Sequence, residues 1–303
     1  VGASTTLLVE HATPANRGYM ASWQFASQGL GVLMGAVVVG VLTVSLSAEA
    51  MQSWGWRVPF VLGMLIAPVG MYIRRHLEES LHITPEDAKA PRESSLKIVC
   101  TQHGRTVLAA ILALVGGTTA AYVVTFYMPT YAVRELGLTP SVALFGAALT
   151  GLLSFALAPF VGKWSDIVGR KTLILWSRIV MAILIYPGFL WLNASPTPVV
   201  LFTVLGVLSI GLVVQTVPGI TMLPEMFPKR VRASGMSLVY SVGVALFGGF
   251  APFVSTWLVN ATGSKLAPAW YLVGMTLVSL LGLLWLRDHT GRDIDAASAH
   301  APA

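Results

Sequence analysis

Ten residues, Gly162-Lys163-Trp164-Ser165-Asp166-Ile167-Val168-Gly169-Arg170-Lys171, gather one acid and three bases between two long apolar runs. This set suits electrostatic fastening rather than bond-breaking chemistry. A carboxylate at such a place accepts from backbone N–H groups at the start of a helix, and the bases stay outside hydrocarbon. The same residue types recur in two further places. Glu10 ends one apolar run and Arg17 opens the next, seven residues on; Glu225 and Arg232 repeat that spacing. Leu8, Glu10, Arg17 and Ser22 in fact return 215 residues later as Leu223, Glu225, Arg232 and Ser237. A Glu held by Arg at the end of a span serves either as a latch or as a topology anchor. The expected gate is therefore Glu10, Arg17, Gly162, Asp166, Gly169, Arg170, Lys171, Glu225 and Arg232.

A second group is uncharged. Gln24 and Gln28 share a helix face that Gly31 and Gly35 continue as a stripe suited to close helix approach. Thr118, Tyr122 and Thr125 fall on one face at i, i+4 and i+7, beside Gly116-Gly117, which permits a bend. Gln215 stands alone in a long apolar run. Amides and hydroxyls at such depth want partners or water, so these six are either substrate-cavity residues or interhelical hydrogen bonds. Arg178, about two turns into its span, is expected to snorkel to the cytoplasmic surface, the alternative being a substrate contact. Tyr127, Tyr131 and Trp270 read as interfacial belt residues, and Gly248-Gly249 with Pro252 as a helix break.

Catalytic signatures are missing: no His-x-x-x-His pair, no Gly-x-Ser-x-Gly elbow, no glycine-rich phosphate loop. No metal or cofactor is expected. The single cysteine, Cys100, can form no intrachain disulfide.

The elements that must position these groups are membrane spans. The 303 residues are 55% hydrophobic and 11% charged, with mean hydropathy +0.74, whereas soluble domains carry about 25% charged residues. Apolar stretches of spanning length fall at 19–46, 58–73, 106–133, 141–161, 172–192, 198–223, 233–259 and 267–286, after a shorter one at 1–9. Trp54-Gly55-Trp56-Arg57 anchors an interface. The polar stretch 74–104 reads as a linker, and the tail after Arg287 as disordered. With 74–104 placed in the cytoplasm, fifteen Lys and Arg lie inside against three outside, which puts the C-terminus in the cytoplasm. The net charge of +6 follows this topology rather than nucleic-acid binding.

The pattern G-x-x-x-D-x-x-G-R-K resembles the signature loop of the major facilitator superfamily. Trp164 and Ile167 depart from it, standing where that family usually has Leu and Arg. Ala12-Thr13-Pro14, Arg17-Gly18, Ser22-Trp23-Gln24, Trp54 to Phe60, Glu225 to Pro228 and Ala245 to Pro252 are similar to the metabolite:proton symporter family within it. Ser22 to Gln28 and Phe247 to Thr256 are most similar to its citrate or tricarballylate carriers. The resemblance implies an all-α transmembrane fold of two six-helix bundles in the bacterial inner membrane, with the first three and a half helices absent from this chain. On it, 1–73 is the rest of the first bundle, 74–104 a cytoplasmic linker, 105–288 the second bundle and 289–303 a tail. It also implies a monomeric, proton-coupled symporter of an organic acid, citrate or a dicarboxylate such as α-ketoglutarate. An Asp and an Arg upstream of Val1 would serve the proton and the anion. Carriage of shikimate or proline/betaine, or a truncated non-transporting protein, are the alternatives.

Overall fold

A computed structural model describes residues 2–76 and 95–292. All regular structure among them is helical, and eight helical stretches are long and apolar enough to cross a bilayer. The chain opens with α1 (Gly2–Glu10) and the long α2 (Arg17–Ser45), followed by α3 (Ala48–Ser53), capped by the Ser47 hydroxyl. A single turn, Gly55–Arg57, leads into α4 (Val58–Met64) and α5 (Ile66–His76). The Arg57 guanidinium lies over the Trp56 ring at 4.5 Å, an amphipathic pair suited to a membrane boundary.

The stretch 74–104 is partly helical. α5 runs on to His76, and α6 (Ser95–Gln102) buries Ile98 and Val99 in a cluster with Phe227 and Val231. The acidic centre of the expected linker lies outside the described residues. Then come α7 (Gly104–Tyr122), a wide π-type turn (Val123–Tyr127), and α8 (Met128–Arg134). Gly116 does not bend α7. A Cβ there would sit 2.3 Å from the Ser279 hydroxyl, so this glycine serves close helix contact, and the irregular turn comes about two turns later.

α9 (Pro140–Val168) and α10 (Arg170–Ala194) are separated by Gly169 alone. The expected charged turn is thus mostly helix, and Lys163 and Asp166 lie within about the last two turns of α9. Gly169 makes the whole reversal with φ 100° and ψ 139°, a conformation that a Cβ disfavours. α11 (Pro198–Glu225) is followed by one turn (Lys229–Val231), α12 (Arg232–Gly243), a second π-type turn (Val244–Gly249), α13 (Ala251–Thr262) and α14 (Ala267–Trp285). The break at Gly248-Gly249 is present, with α13 restarting at Ala251-Pro252.

α2 lies along α9 with glycines at the crossing. A Cβ on Gly18 would stand 2.5 Å from the Gly162 carbonyl, and one on Gly162 would stand 2.5 Å from the Gly18 carbonyl. Gly29 and Gly151 meet in the same way farther along. Gly31 and Gly35, the stripe expected to make this contact, face open space instead. The contact stripe lies one helix face away, which the amide pattern did not mark.

The two largest apolar clusters lie in the bundle of α7 to α14. One joins Val123, Met128, Tyr131, Met181, Phe189 and Leu201; the other joins Val213, Val217, Phe227, Met236 and Val239 to Phe25 and Ala26 of α2. Tyr127 and Tyr131 belong to the first cluster and not to an interfacial belt. Both rings are buried, and the Tyr131 hydroxyl donates to the Lys265 carbonyl and accepts from the Asn193 amide. Trp270 is exposed and lies against Tyr186, as a belt residue does.

Candidate functional site

The charges gather at one end of the bundle, where α1, α9 and α11 finish and α2, α10 and α12 begin. The Asp166 carboxylate accepts from the Gly18 and Tyr19 N–H groups at 2.7 and 3.0 Å, and so caps α2 from another helix. The close approach of Gly18 and Gly162 brings the carboxylate within reach. Arg170, one turn past Asp166, is fully buried and bridges it to Glu225, with its Nη2 at 3.1 Å from each. Arg17 Nη1 stands 3.9 Å from the same Glu225 oxygen. The Glu225 contacts are ion pairs rather than aligned hydrogen bonds. Two carboxylates thus face two guanidiniums in a largely dry lattice, the arrangement in which buried charge is tolerable.

The Glu–Arg echo closes across the molecule. Arg17, of the first copy, reaches Glu225 of the second; Arg232, of the second, donates to Glu10 of the first at 3.3 Å. Arg232 Nε also donates to the Phe227 carbonyl. All nine expected gate residues lie in this region, Gly162 and Gly169 through the backbone geometry they allow.

No pattern of residue types marks residues 287–292 as joining them. Asp288 Oδ2 accepts from the Lys171 N–H at 3.1 Å and the Thr290 hydroxyl accepts from the Arg170 N–H at 3.0 Å, so the segment caps α10. Lys171 Nζ donates to the Leu286 carbonyl, and Arg17 Nη1 to that of Arg292. The start of the expected disordered tail is therefore docked; residues beyond Arg292 lie outside the described residues. Burial pushes the Asp288 carboxyl up, but hydrogen bonds from the Thr290 side chain and backbone and the Lys171 N–H, with Arg170 nearby, outweigh it and hold it below the usual carboxylate range.

Deeper in, a cavity of about 170 Å³ opens between α2, α7, α10, α11 and α12. Gln28, Thr118, Tyr122, Thr125 and Gln215 all line it. Gln28 meets the Tyr240 hydroxyl across it, and Gly248 of the second π-type turn lets Thr118 and Tyr122 pack against that turn. Gln24 is the exception. It is buried outside the cavity lining, with its Oε1 unpaired.

Arg178 contradicts the expectation of snorkelling. It lies eight residues into α10, about 12 Å along the axis, and is 3% exposed. Its guanidinium turns inward, with Nη1 donating to the Ser279 carbonyl at 3.0 Å and Nη2 to that of Ala113. The close approach at Gly116 and Ser279 supplies those carbonyls, and the side chain lines the cavity. Thr216 also faces it, and nothing in the spacing singled that residue out. Among the described residues no cluster of metal-ligand side chains occurs.

The Major Facilitator Superfamily model matches the chain twice, over residues 1–156 and 133–301. The chain belongs to that superfamily. This facilitator is 32% identical over 301 residues to the citrate-proton symporter of Salmonella typhi, covering 99% of this chain and 69% of that protein. It is 31% identical to the citrate-proton symporter of Klebsiella pneumoniae, over 94% of this chain and 64% of that one. A putative proline/betaine transporter of Staphylococcus haemolyticus is 32% identical over 86% of this chain and 56% of its own length. The chain thus spans between about half and two thirds of the relatives it matches. Among solved structures, the proton:xylose symporter XylE superposes with a TM-score of 0.75 at 19% identity, over 98% of this chain and 70% of its own. That likeness is one of fold.

Proposed function

We propose that this facilitator takes part in carrying a small organic acid together with a proton by alternating access, citrate or another tricarboxylate first, a dicarboxylate such as α-ketoglutarate next. The observation that carries the reading is a mainly apolar cavity between helices, set with a few polar side chains such as Gln28, Arg178, Gln215 and Thr216, next to an end fastened by ion pairs between the two copies of the Glu–Arg repeat. Such pairs can form and break as one bundle rocks on the other. The similarity to citrate-proton symporters supports the substrate class. In this reading 1–73 belongs to one bundle, 105–288 to the other, with 74–104 joining them and 289–303 as a tail. The protein sits as a monomer in a bacterial inner membrane, with the charged end and the C-terminus cytoplasmic.

A second reading, carriage of proline or betaine, is favoured by the Staphylococcus relative. Uptake of labelled citrate, α-ketoglutarate, shikimate, proline and betaine by vesicles holding the intact protein, with and without an inward proton gradient, tests both. Gradient-dependent uptake of a di- or tricarboxylate is the expected result. Uptake of proline or betaine alone selects the second reading, and no gradient-dependent uptake of any of them ends both.

A further inference from the structure

Three buried polar groups of the cavity lack partners. The Arg178 Nε, the Gln215 Oε1 and the Thr216 Oγ1 have no hydrogen bond. They converge: a Cβ placed on Gly117 would lie 3.9 Å from Thr216 Oγ1 and 4.0 Å from both Arg178 Nη2 and Gln215 Oε1. The absence of a side chain at Gly117 keeps the space between them clear. Arg178 also stands apart in charge. Its guanidinium donates to two neutral backbone carbonyls, and among the described residues none of the ion pairs includes it. The lattice of Asp166, Arg170, Arg17 and Glu225 is balanced by contrast, and so has no carboxylate to spare.

A guanidinium held about 12 Å along a membrane helix without an anion is costly unless a counter-charge arrives. Carbonyl acceptors on Nη1 and Nη2 fix its orientation while leaving an N–H edge and the positive charge for a ligand. Guanidinium against carboxylate gives strong, directional hydrogen bonds. Thr216 can donate to the same anion, and the Gln215 amide can turn its NH2 toward it.

We propose that Arg178, with Gln215 and Thr216, forms a carboxylate-binding subsite in which the transported acid supplies the missing counter-charge. This rests on the reading of the substrate as an organic acid. The subsite deepens that reading by placing a carboxylate-recognising cation within the α7–α14 bundle. It also accommodates both groups of relatives, because citrate, proline and betaine each carry a carboxylate and differ in the rest.

The test is direct binding of labelled citrate to the purified intact protein, together with the citrate-induced rise in Tm, for wild type and for Arg178→Gln, Arg178→Lys and Thr216→Val. Proline and betaine serve as parallel probes. Arg178→Gln should weaken carboxylate binding by at least about thirtyfold. Arg178→Lys should retain part of the affinity, and Thr216→Val should weaken binding by a few-fold without lowering the ligand-free Tm. A purely structural Arg178 would instead lower the ligand-free Tm while leaving the citrate-induced rise intact, and that result overturns the subsite. So does wild-type protein that binds none of the three carboxylates, and so does unchanged affinity in Arg178→Gln. If Arg178→Gln does not fold, unchanged binding in both Thr216→Val and Arg178→Lys overturns it. Wild-type carboxylate binding lost in Arg178→Gln, combined with no gradient-driven uptake, keeps the subsite and removes the symport reading.

Discussion

Asp166 holds two N–H groups of another helix and one guanidinium at once, so its removal separates two effects. Asp166→Asn keeps the shape but leaves one carbonyl oxygen for two donors and no charge for Arg170 or the α2 dipole. The loss should weaken this fastening by about 2 kcal/mol. Hydrogen exchange at Gly18 and Tyr19 should then accelerate by at least tenfold, and an unchanged rate would show that the cap contributes nothing. Asp288 gives a pH dependence with a defined sign. Its carboxyl is held below its ordinary value by Thr290 of its own segment and by the Lys171 N–H and Arg170, which it meets only when docked. The docked segment is therefore stabilised above the ordinary carboxylate range, and that stabilisation is lost as pH falls through the depressed folded value. Exchange of the Lys171 N–H should speed up as pH drops from the ordinary carboxylate range downward, beyond the intrinsic pH trend, and Asp288→Asn should abolish that extra dependence. Equal pH profiles for the two proteins would contradict it.

Helix-level behaviour turns on the α2–α9 contact. Gly162 and Gly18 touch through their backbones, so Gly162→Ala must push the helices apart and pull Asp166 away from α2. The expected cost is about 1–3 kcal/mol, seen as a lower Tm together with faster exchange at Gly18. Gly31→Ala, which faces open space, should change neither, and equal effects at the two glycines would refute this packing. The spans were legible because length and apolarity suffice to mark them, and the break near Gly248 because Gly-Gly and Pro weaken a helix. The paired glycines were not, since a close approach between residues 144 positions apart leaves no periodic trace in either helix. The α10 cap was hidden for a related reason: Asp288 and Thr290 look like ordinary polar tail residues until α14 delivers them to Gly169.

For the whole molecule, the repeat at 215 residues proved the most informative pattern in the chain. It placed Glu10, Arg17, Glu225 and Arg232 in one region, although spacing alone did not say that the pairs would cross between copies. Several polar residues of the cavity, Gln28, Thr118, Tyr122, Thr125 and Gln215, were legible as polar groups inside apolar runs. Arg178 was misread because snorkelling and burial have the same sequence signature; carbonyls from α7 and α14 decide between them. The central claim is that carboxylate and proton move together. It is tested most directly with a pH electrode, by adding citrate to lightly buffered, de-energised vesicles that hold the intact protein. Transient alkalinisation of the medium, collapsed by a protonophore and absent from vesicles without the protein, is the expected result. Citrate entry with no accompanying pH change would contradict it.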